Sequence, residues 1–493
     1  MLNRRRALTL GGLAAGVVGM AAFGRGQRLP DTAAAAGAPA PMSGMDMGGT
    51  SGGAVSAPSP YVAPFSVRMP VPRELRPVQR RPDGDVYELA LRASRVEMLP
   101  GRYTTALTYG GTFVGPTIRA RAGRPAFVRY TNRLDRPANA HLHGGHVPAG
   151  SDGYPMDLIG VGAQKTCHYP NRQPGATLWY HDHTHQLEAE HVYRGLHGFY
   201  LLEGDDEARL GLPSGEFDVP IMLSDAHFDA HGGLIYAAED TPNRDTFLAN
   251  GRPRPYFPVA ARKYRFRILD ASNFHTYHLD LGGAELLQIG SDGGLLPEPV
   301  SRREIVLSPG ERAEVVIDFS RFRPGSQVVL NDVSGPVLRF DVHGGRADDH
   351  SRVPDVLRPL PPLRPGRTDR EMTMSVDMVN HVVMINGRPY DENRVDTRVR
   401  RGATEIWHIR NLDADVQLDH NMHLHLVQFR ILDRDGAPPL PGESGLKDTV
   451  LIPAGKSVRI QATFADYTGR YLYHCHMLEH SSAGMMAQLE VFD

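Results

Sequence analysis

Cysteine is scarce. The 493 residues contain only Cys167 and Cys475, which leaves little scope for a structural disulfide and excludes a disulfide-stapled scaffold. Charge of one sign is lacking too: 54 Lys plus Arg against 56 Asp plus Glu give a net charge of -2, so no basic field invites nucleic acid and no such partner is expected. No hydrophobic run reaches the length of a membrane span. The longest, residues 7–23, is short and interrupted by glycine, so no stable membrane association is expected. Long stretches with a 3.6-residue period are also missing, while 52 Gly and 39 Pro punctuate short alternating segments, which favours an all-β chain. At 493 residues the chain is too long for one core and predicts about three domains.

The start of the chain reads as an export leader over residues 1–36. Arg4, Arg5 and Arg6 precede the apolar run, and residues 3–8 are similar to a twin-arginine signal, although Asn3 and Ala7 depart from its usual wording. A periplasmic, cell-surface or extracellular protein is expected. Residues 37–61 are rich in Ala, Gly, Ser and Pro, a composition that cannot bury a core, and read as a disordered linker. Met42, Met45 and Met47 within it could scavenge copper(I), but the flexible spacer is the simpler reading.

Beyond the linker the chain repeats itself. Residues 127–132, 266–271 and 406–411 each follow a turn signal and alternate as half-buried strands do. The Ser308-Pro309-Gly310-Glu311 turn is echoed by Pro453-Ala454-Gly455-Lys456, each ahead of an alternating strand. Histidine is distributed very differently. Of 23, nine lie between His141 and His197 and six between His420 and His480, with the pairs His141/His143, His181/His183, His423/His425 and His474/His476 each separated by one residue. If residues 471–477 form a strand, His474 and His476 leave one face and Cys475 the other, so one segment can serve two metal centres. Cys475, His480 and Met485, with a second imidazole from elsewhere, compose the thiolate, imidazole and long thioether set of blue copper, which suits electron transfer. Eight paired imidazoles exceed what one zinc needs and suit several copper ions beside it.

The wording of these segments resembles the three-domain multicopper oxidases. It is closest to bacterial spore-coat laccases and bilirubin oxidases, at His168-Tyr169-Pro170-Asn171, Lys263-Tyr264-Arg265-Phe266-Arg267 and Gln288-Ile289-Gly290-Ser291-Asp292 as well as at the histidine pairs. The resemblance implies three cupredoxin-like Greek-key β-sandwich domains over residues 62–205, 213–345 and 371–493, the last two joined by a Pro-rich linker over 346–370. It implies four copper ions as cofactors. His420, Cys475, His480 and Met485 would hold the type 1 ion, and His141 and His423 the type 2 ion. His143, His181, His183, His425, His474 and His476 would hold the coupled type 3 pair. The middle repeat has only His275 and His278 at the corresponding place and reads as structural.

The implied activity is one-electron oxidation of phenols, aromatic amines or bile pigments coupled to reduction of dioxygen to water. The partners are then dioxygen and a small aromatic reductant. The alternatives are a cuprous oxidase acting on copper(I) and a copper-carrying coat protein. Met372, Met374 and Met378 are spaced to share one strand face and are expected in the core rather than in a copper(I) site. Asn421 stands where the family usually has Pro, which puts the rigidity of that loop in question. Asp152 matches a family proton donor, with a turn residue before Gly153 as the alternative. Ser481 stands where many members carry a second acid, so either Asp152 is expected to carry more of the proton supply or water replaces the missing group.

Overall fold

The computed structural model describes residues 57–364 and 368–493. The expected leader and Met42, Met45 and Met47 lie outside the described residues. Among the described residues strands dominate and form six sheets, which fall along the sequence as three face-to-face pairs. The core of the first pair joins Leu89, Val128 and Cys167 of one sheet to Ile118, Leu142, Leu178 and Tyr200 of the other. The second encloses Ile221, Phe266 and Val315 against Phe257, Leu330 and Phe340, and the third encloses Trp407 and Ile460 against Met422, Tyr471 and Leu489. These are cupredoxin-like β-sandwiches, all-β as the composition predicts. Truncating a side chain such as Trp407, which is fully buried, would cost about 3–5 kcal/mol.

The sequence repeat corresponds to a repeated topology. Ala126–Asn132, Lys263–Asp270 and Thr404–Asn411 are the three echoed strands, and each pairs in parallel with an earlier strand: Gly84–Glu97, Asp218–Ala226 and Arg370–Asp377 respectively. The terminal asparagines do the same job twice. Asn132 Nδ2 donates to the Arg136 and Ile159 carbonyls, and Asn411 Nδ2 donates to those of Leu418 and Ile452, satisfying buried backbone acceptors where the chain leaves the sheet.

Several boundaries differ from the sequence reading. Two residues inside the expected linker are packed: the Ala57 carbonyl lies 2.9 Å from His227 Nε2, and Ser59 Oγ accepts from Phe228 N. Met69 belongs to the core of the middle sandwich, and its N–H donates to Tyr256 O, so the segment ahead of the first sheet packs on the second unit. The expected strand over 471–477 stops early, as Gly469–His474. The cause is a diversion of backbone donors: Cys475 N donates to Met485 O at 3.0 Å and His476 N to Asn421 Oδ1 at 2.7 Å. Met372 and Met374 are buried as expected, whereas Met378 is exposed because the strand Arg370–Asp377 has ended before it.

The sandwiches are joined by polar groups. In Lys263–Asp270 the face opposite Phe266 presents Arg265 and Arg267, both buried. Arg267 pairs with Asp218 at 2.7 Å and reaches Thr177 of the first sandwich, while Arg265 pairs with Glu207 and Glu314. Removing one partner from a buried network of this kind costs about 3–5 kcal/mol, because a charge is left uncompensated. Tyr471 OH donates to Val147 O at 3.1 Å and Tyr154 OH to Gln488 Oε1 at 2.7 Å, which ties the first sandwich to the third.

Candidate metal centre

Register brings the histidine pairs together. In the first sandwich His141 lies opposite His181 in the ladder, and in the third His423 lies opposite His474. Where the two sandwiches meet, these strand ends form one cluster of eight buried imidazoles. His141 Nε2 lies 3.4 Å from His423 Nε2, and His474 Nε2 lies 3.1 Å from His183 Nε2 and 3.2 Å from His425 Nε2. The rings of His143 and His181 both face His476, with centroids 4.7 and 5.3 Å away.

Most of these rings are fixed from outside by one nitrogen. His141 Nδ1 contacts the Asp152 carbonyl, and His423 Nδ1 lies 2.8 Å from the Asp448 carbonyl. His143 Nε2 faces Asp448 Oδ1 at 3.0 Å, and His425 Nδ1 faces Asp152 Oδ2 at 2.7 Å. The Nδ1 atoms of His181 and His474 each lie 2.9 Å from a carbonyl, those of Asp182 and Cys475. His143 Nδ1, His181 Nε2 and both ring nitrogens of His476 are buried without a hydrogen-bond partner, and the Nε2 atoms of His141 and His423, and of His183, His425 and His474, face one another. Burial holds these imidazoles neutral: it brings His141 down to about 3 and His474 to about 4, and drives the others well below the usual histidine range. Neutral imidazoles whose Nε2 atoms converge at 3.1–3.4 Å compose the donor set of a metal cluster, so the residues fit a cluster of copper ions.

On the other side of Cys475 lies a second centre. Its Sγ faces His420 Nδ1 at 3.8 Å and His480 Nδ1 at 3.7 Å, and Met485 is buried beside them in the same core. Burial pushes the Cys475 thiol up, but the two facing imidazoles outweigh it and bring the thiol down to about 6. Burial pulls His420 down, and Asp413 with Cys475 overrides this to raise it to about 9. The His–His–Cys set in a sealed pocket is a soft site that suits copper. Cys167, by contrast, is an unpaired thiol in the first core, pushed up to about 11 by burial.

Five supporting residues were not anticipated in these roles. Asp413 Oδ2 accepts from His420 Nε2 at 2.7 Å. Asp448 faces His143 and is itself held by Arg312 of the middle sandwich at 2.6 Å. Asp182, between His181 and His183, accepts from Asn139 N and Thr184 N and faces His191. Asn421 lies in the strand His420–Leu424 rather than in the expected loop, and it ties that strand down: Nδ2 donates to Ser308 Oγ and Pro309 O, and Oδ1 accepts from His476 N. Ser481 is not without an acid, since its Oγ donates to Glu188 Oε2 at 2.6 Å, and burial pushes that carboxyl up to about 8.

The middle sandwich offers no ligand. His275 faces Asp332, and His278 is part-exposed beside Glu304. It does press on the cluster through the Pro309-Gly310 turn. A Cβ on Gly310 would stand 2.9 Å from His476 Nδ1 and 3.1 Å from His143 Cε1, and its φ of +87° also demands glycine.

Comparison with known proteins agrees with this arrangement. A family profile described as multicopper oxidase matches residues 90–207, and a second of the same description matches residues 360–493. A laccase of Bacillus stratosphericus is 36% identical over 509 aligned residues, covering 87% of this chain and 99% of its own. A bilirubin oxidase of Albifimbria verrucaria is 33% identical, covering 87% of this chain and 81% of its own. The crystal structure of a laccase from Pediococcus acidilactici superposes with a TM-score of 0.82 at 30% identity, covering 89% of this chain and 95% of that one. Among the described residues no helix is long and apolar enough to cross a membrane.

Proposed function

The chain belongs to the multicopper oxidases, copper-dependent oxidases, and on that premise we propose that it couples one-electron oxidation of phenols or aromatic amines to the reduction of dioxygen to water. The observation that carries the reading is the place of Cys475. Its thiol faces His420 and His480, while its chain neighbours His474 and His476 belong to the eight-imidazole cluster. One dipeptide on either side of the sulfur therefore links an outer one-electron centre to an inner one.

In this reading His420, Cys475, His480 and Met485 hold the type 1 ion, and His141 and His423 the type 2 ion. His143, His181 and His476 hold one ion of the coupled pair, and His183, His425 and His474 the other. Bound copper supplies one-electron redox at the first centre and four-electron reduction of dioxygen at the second. The chain's own residues fix the ligands. Asp413 orients His420 by taking its Nε2–H, Asp448 orients His143, and Asp152 orients His425. Asp152 is also the residue assigned to proton supply: burial lifts its carboxyl well above the usual carboxylate range, and Oδ1 has no hydrogen-bond partner among the described residues.

A cuprous oxidase would want thioethers within reach of solvent copper(I), but Met372 and Met374 are buried. Oxygen uptake by the copper-loaded protein tests the assignment. Phenols and aromatic amines should drive it, and uptake with copper(I) but with no aromatic reductant would overturn it.

A further inference from the structure

The outer nitrogens of the cluster imidazoles are held by carbonyls or by Asp152 and Asp448, with two exceptions, His476 and His183. For His183 one group stands in reach. Its Nδ1 lies 3.3 Å from Glu188 Oε1, and neither atom has another hydrogen-bond partner among the described residues, although the pair is not aligned closely enough to count as a hydrogen bond. Glu188 is fully buried, and nothing in the ligand assignments uses it. Its other oxygen accepts from Ser481 Oγ at 2.6 Å, and the same hydroxyl lies 3.3 Å from His474 Nδ1. One carboxylate thus stands behind His183 directly and behind His474 through a serine, and those are two of the three imidazoles whose Nε2 atoms converge on one point.

The placement is built by the fold. Glu188 opens the helix Glu188–Tyr193 of the first sandwich, and Ser481 lies on the helix Leu478–Ser482 of the third. The helices dock through Ala189, Val192 and Leu478, and Ala189 N donates to Ser482 Oγ at 2.9 Å. The carboxylate is therefore carried across the junction by one sandwich and clamped by the other.

We propose that Glu188 is a positioning residue of this copper site: gripped by Ser481, it holds His183 with Nε2 turned toward His474 and, through the hydroxyl, holds His474 toward His183. The inference rests on the copper reading of the cluster. The role requires an acceptor toward His183 and a polar partner for the Ser481 hydroxyl, which can turn to accept from an amide N–H, so Glu188→Gln should preserve it and Glu188→Ala should not. Ser481→Glu, from the opposite helix, should return a carboxylate to the same space.

Copper-loaded parent, Glu188→Ala, Glu188→Gln and Glu188→Ala/Ser481→Glu are compared by chelator competition and by the near-ultraviolet band of the coupled pair. The blue band of the Cys475 centre reports folding independently. Glu188→Ala should weaken one copper by about 10–100-fold, the usual consequence of losing a group behind a metal ligand, and lose the near-ultraviolet band with the blue band intact. Glu188→Gln and the double variant should recover both affinity and band. Parent-like affinity in Glu188→Ala overturns the proposal. So does failure of both Glu188→Gln and the double variant to recover the site, and this pair decides the matter even if Glu188→Ala misfolds. A parent that takes up no copper would instead remove the functional reading and this inference with it.

Discussion

Replacing Asp413 by Asn tests how the chain sets the potential of the Cys475 centre. Asp413 is buried, with Oδ2 2.7 Å from His420 Nε2 and Oδ1 accepting from Val376 N at 3.1 Å. An asparagine of the same shape has one acceptor for these two donors, so one bond is lost along with the charge. Adding the width of an imidazole to the 2.7 Å contact puts the carboxylate about 5 Å from His420 Nδ1, the nitrogen that faces Cys475. An ion held by that nitrogen would lie about 2 Å further out, and a unit charge at about 7 Å with an effective dielectric of about 20 is worth about 2 kcal/mol, or between one and two decades in an equilibrium constant. Losing such a group typically costs about 10–100-fold in metal affinity, which agrees. The loss falls mainly on copper(II), the more highly charged state, so the potential should rise by about 60–120 mV at 59 mV per decade for one electron. A spectroelectrochemical titration that follows the blue band reads this directly. An unmoved or lowered potential would refute the argument and show that Asp413 does not act on the copper through His420.

Two further outcomes follow from the site. Asp152→Asn should slow reoxidation of the reduced enzyme by dioxygen by about a hundredfold or more, with the blue band and reduction by substrate little changed; parent-rate reoxidation between about pH 5 and 8, measured by stopped flow, would leave Asp152 with the orientation of His425 alone. In the apoprotein the Cys475 thiol, lowered to about 6, and His420, raised to about 9, coexist as thiolate and imidazolium between those values. Binding at this centre needs the thiolate and an unprotonated Nδ1, so these two groups should release no proton above about pH 9, one between about 9 and 6, and two below about 6. Copper affinity should then fall about tenfold per unit as pH drops through the middle range and about a hundredfold per unit below it; proton release followed during copper titration checks the count, and a pH-independent affinity would contradict it.

What the sequence disclosed about this site follows the range over which its signals act. The His-x-His pairs are local, so their clustering could be read without a structure, although only His141 and His143 lie wholly within a strand and the other three pairs run past a strand end. The echoed strands were readable for the same reason, and the shared task of Asn132 and Asn411 shows that the repeat reaches individual hydrogen bonds. The groups behind the ligands obey no such period. Asp413 lies seven residues before His420 at the far side of a loop, and Ser481 meets Glu188 across 293 residues of chain. A local reading therefore saw no acid at Ser481, whereas the fold sets the Glu188 carboxyl against that hydroxyl from another sandwich. Asn421 carries the same lesson for rigidity. Proline would have stiffened this strand through its own φ, while asparagine does so by tying Ser308 and Pro309 of the middle unit to His476 of the third. The middle sandwich, which looked merely structural because it lacks ligands, thus shapes the site through Asn421, the Gly310 turn and the Arg312–Asp448 pair. A chain can lose ligands from one repeat without releasing that repeat from the site, because orienting a ligand takes only a hydrogen-bonding group at the right distance.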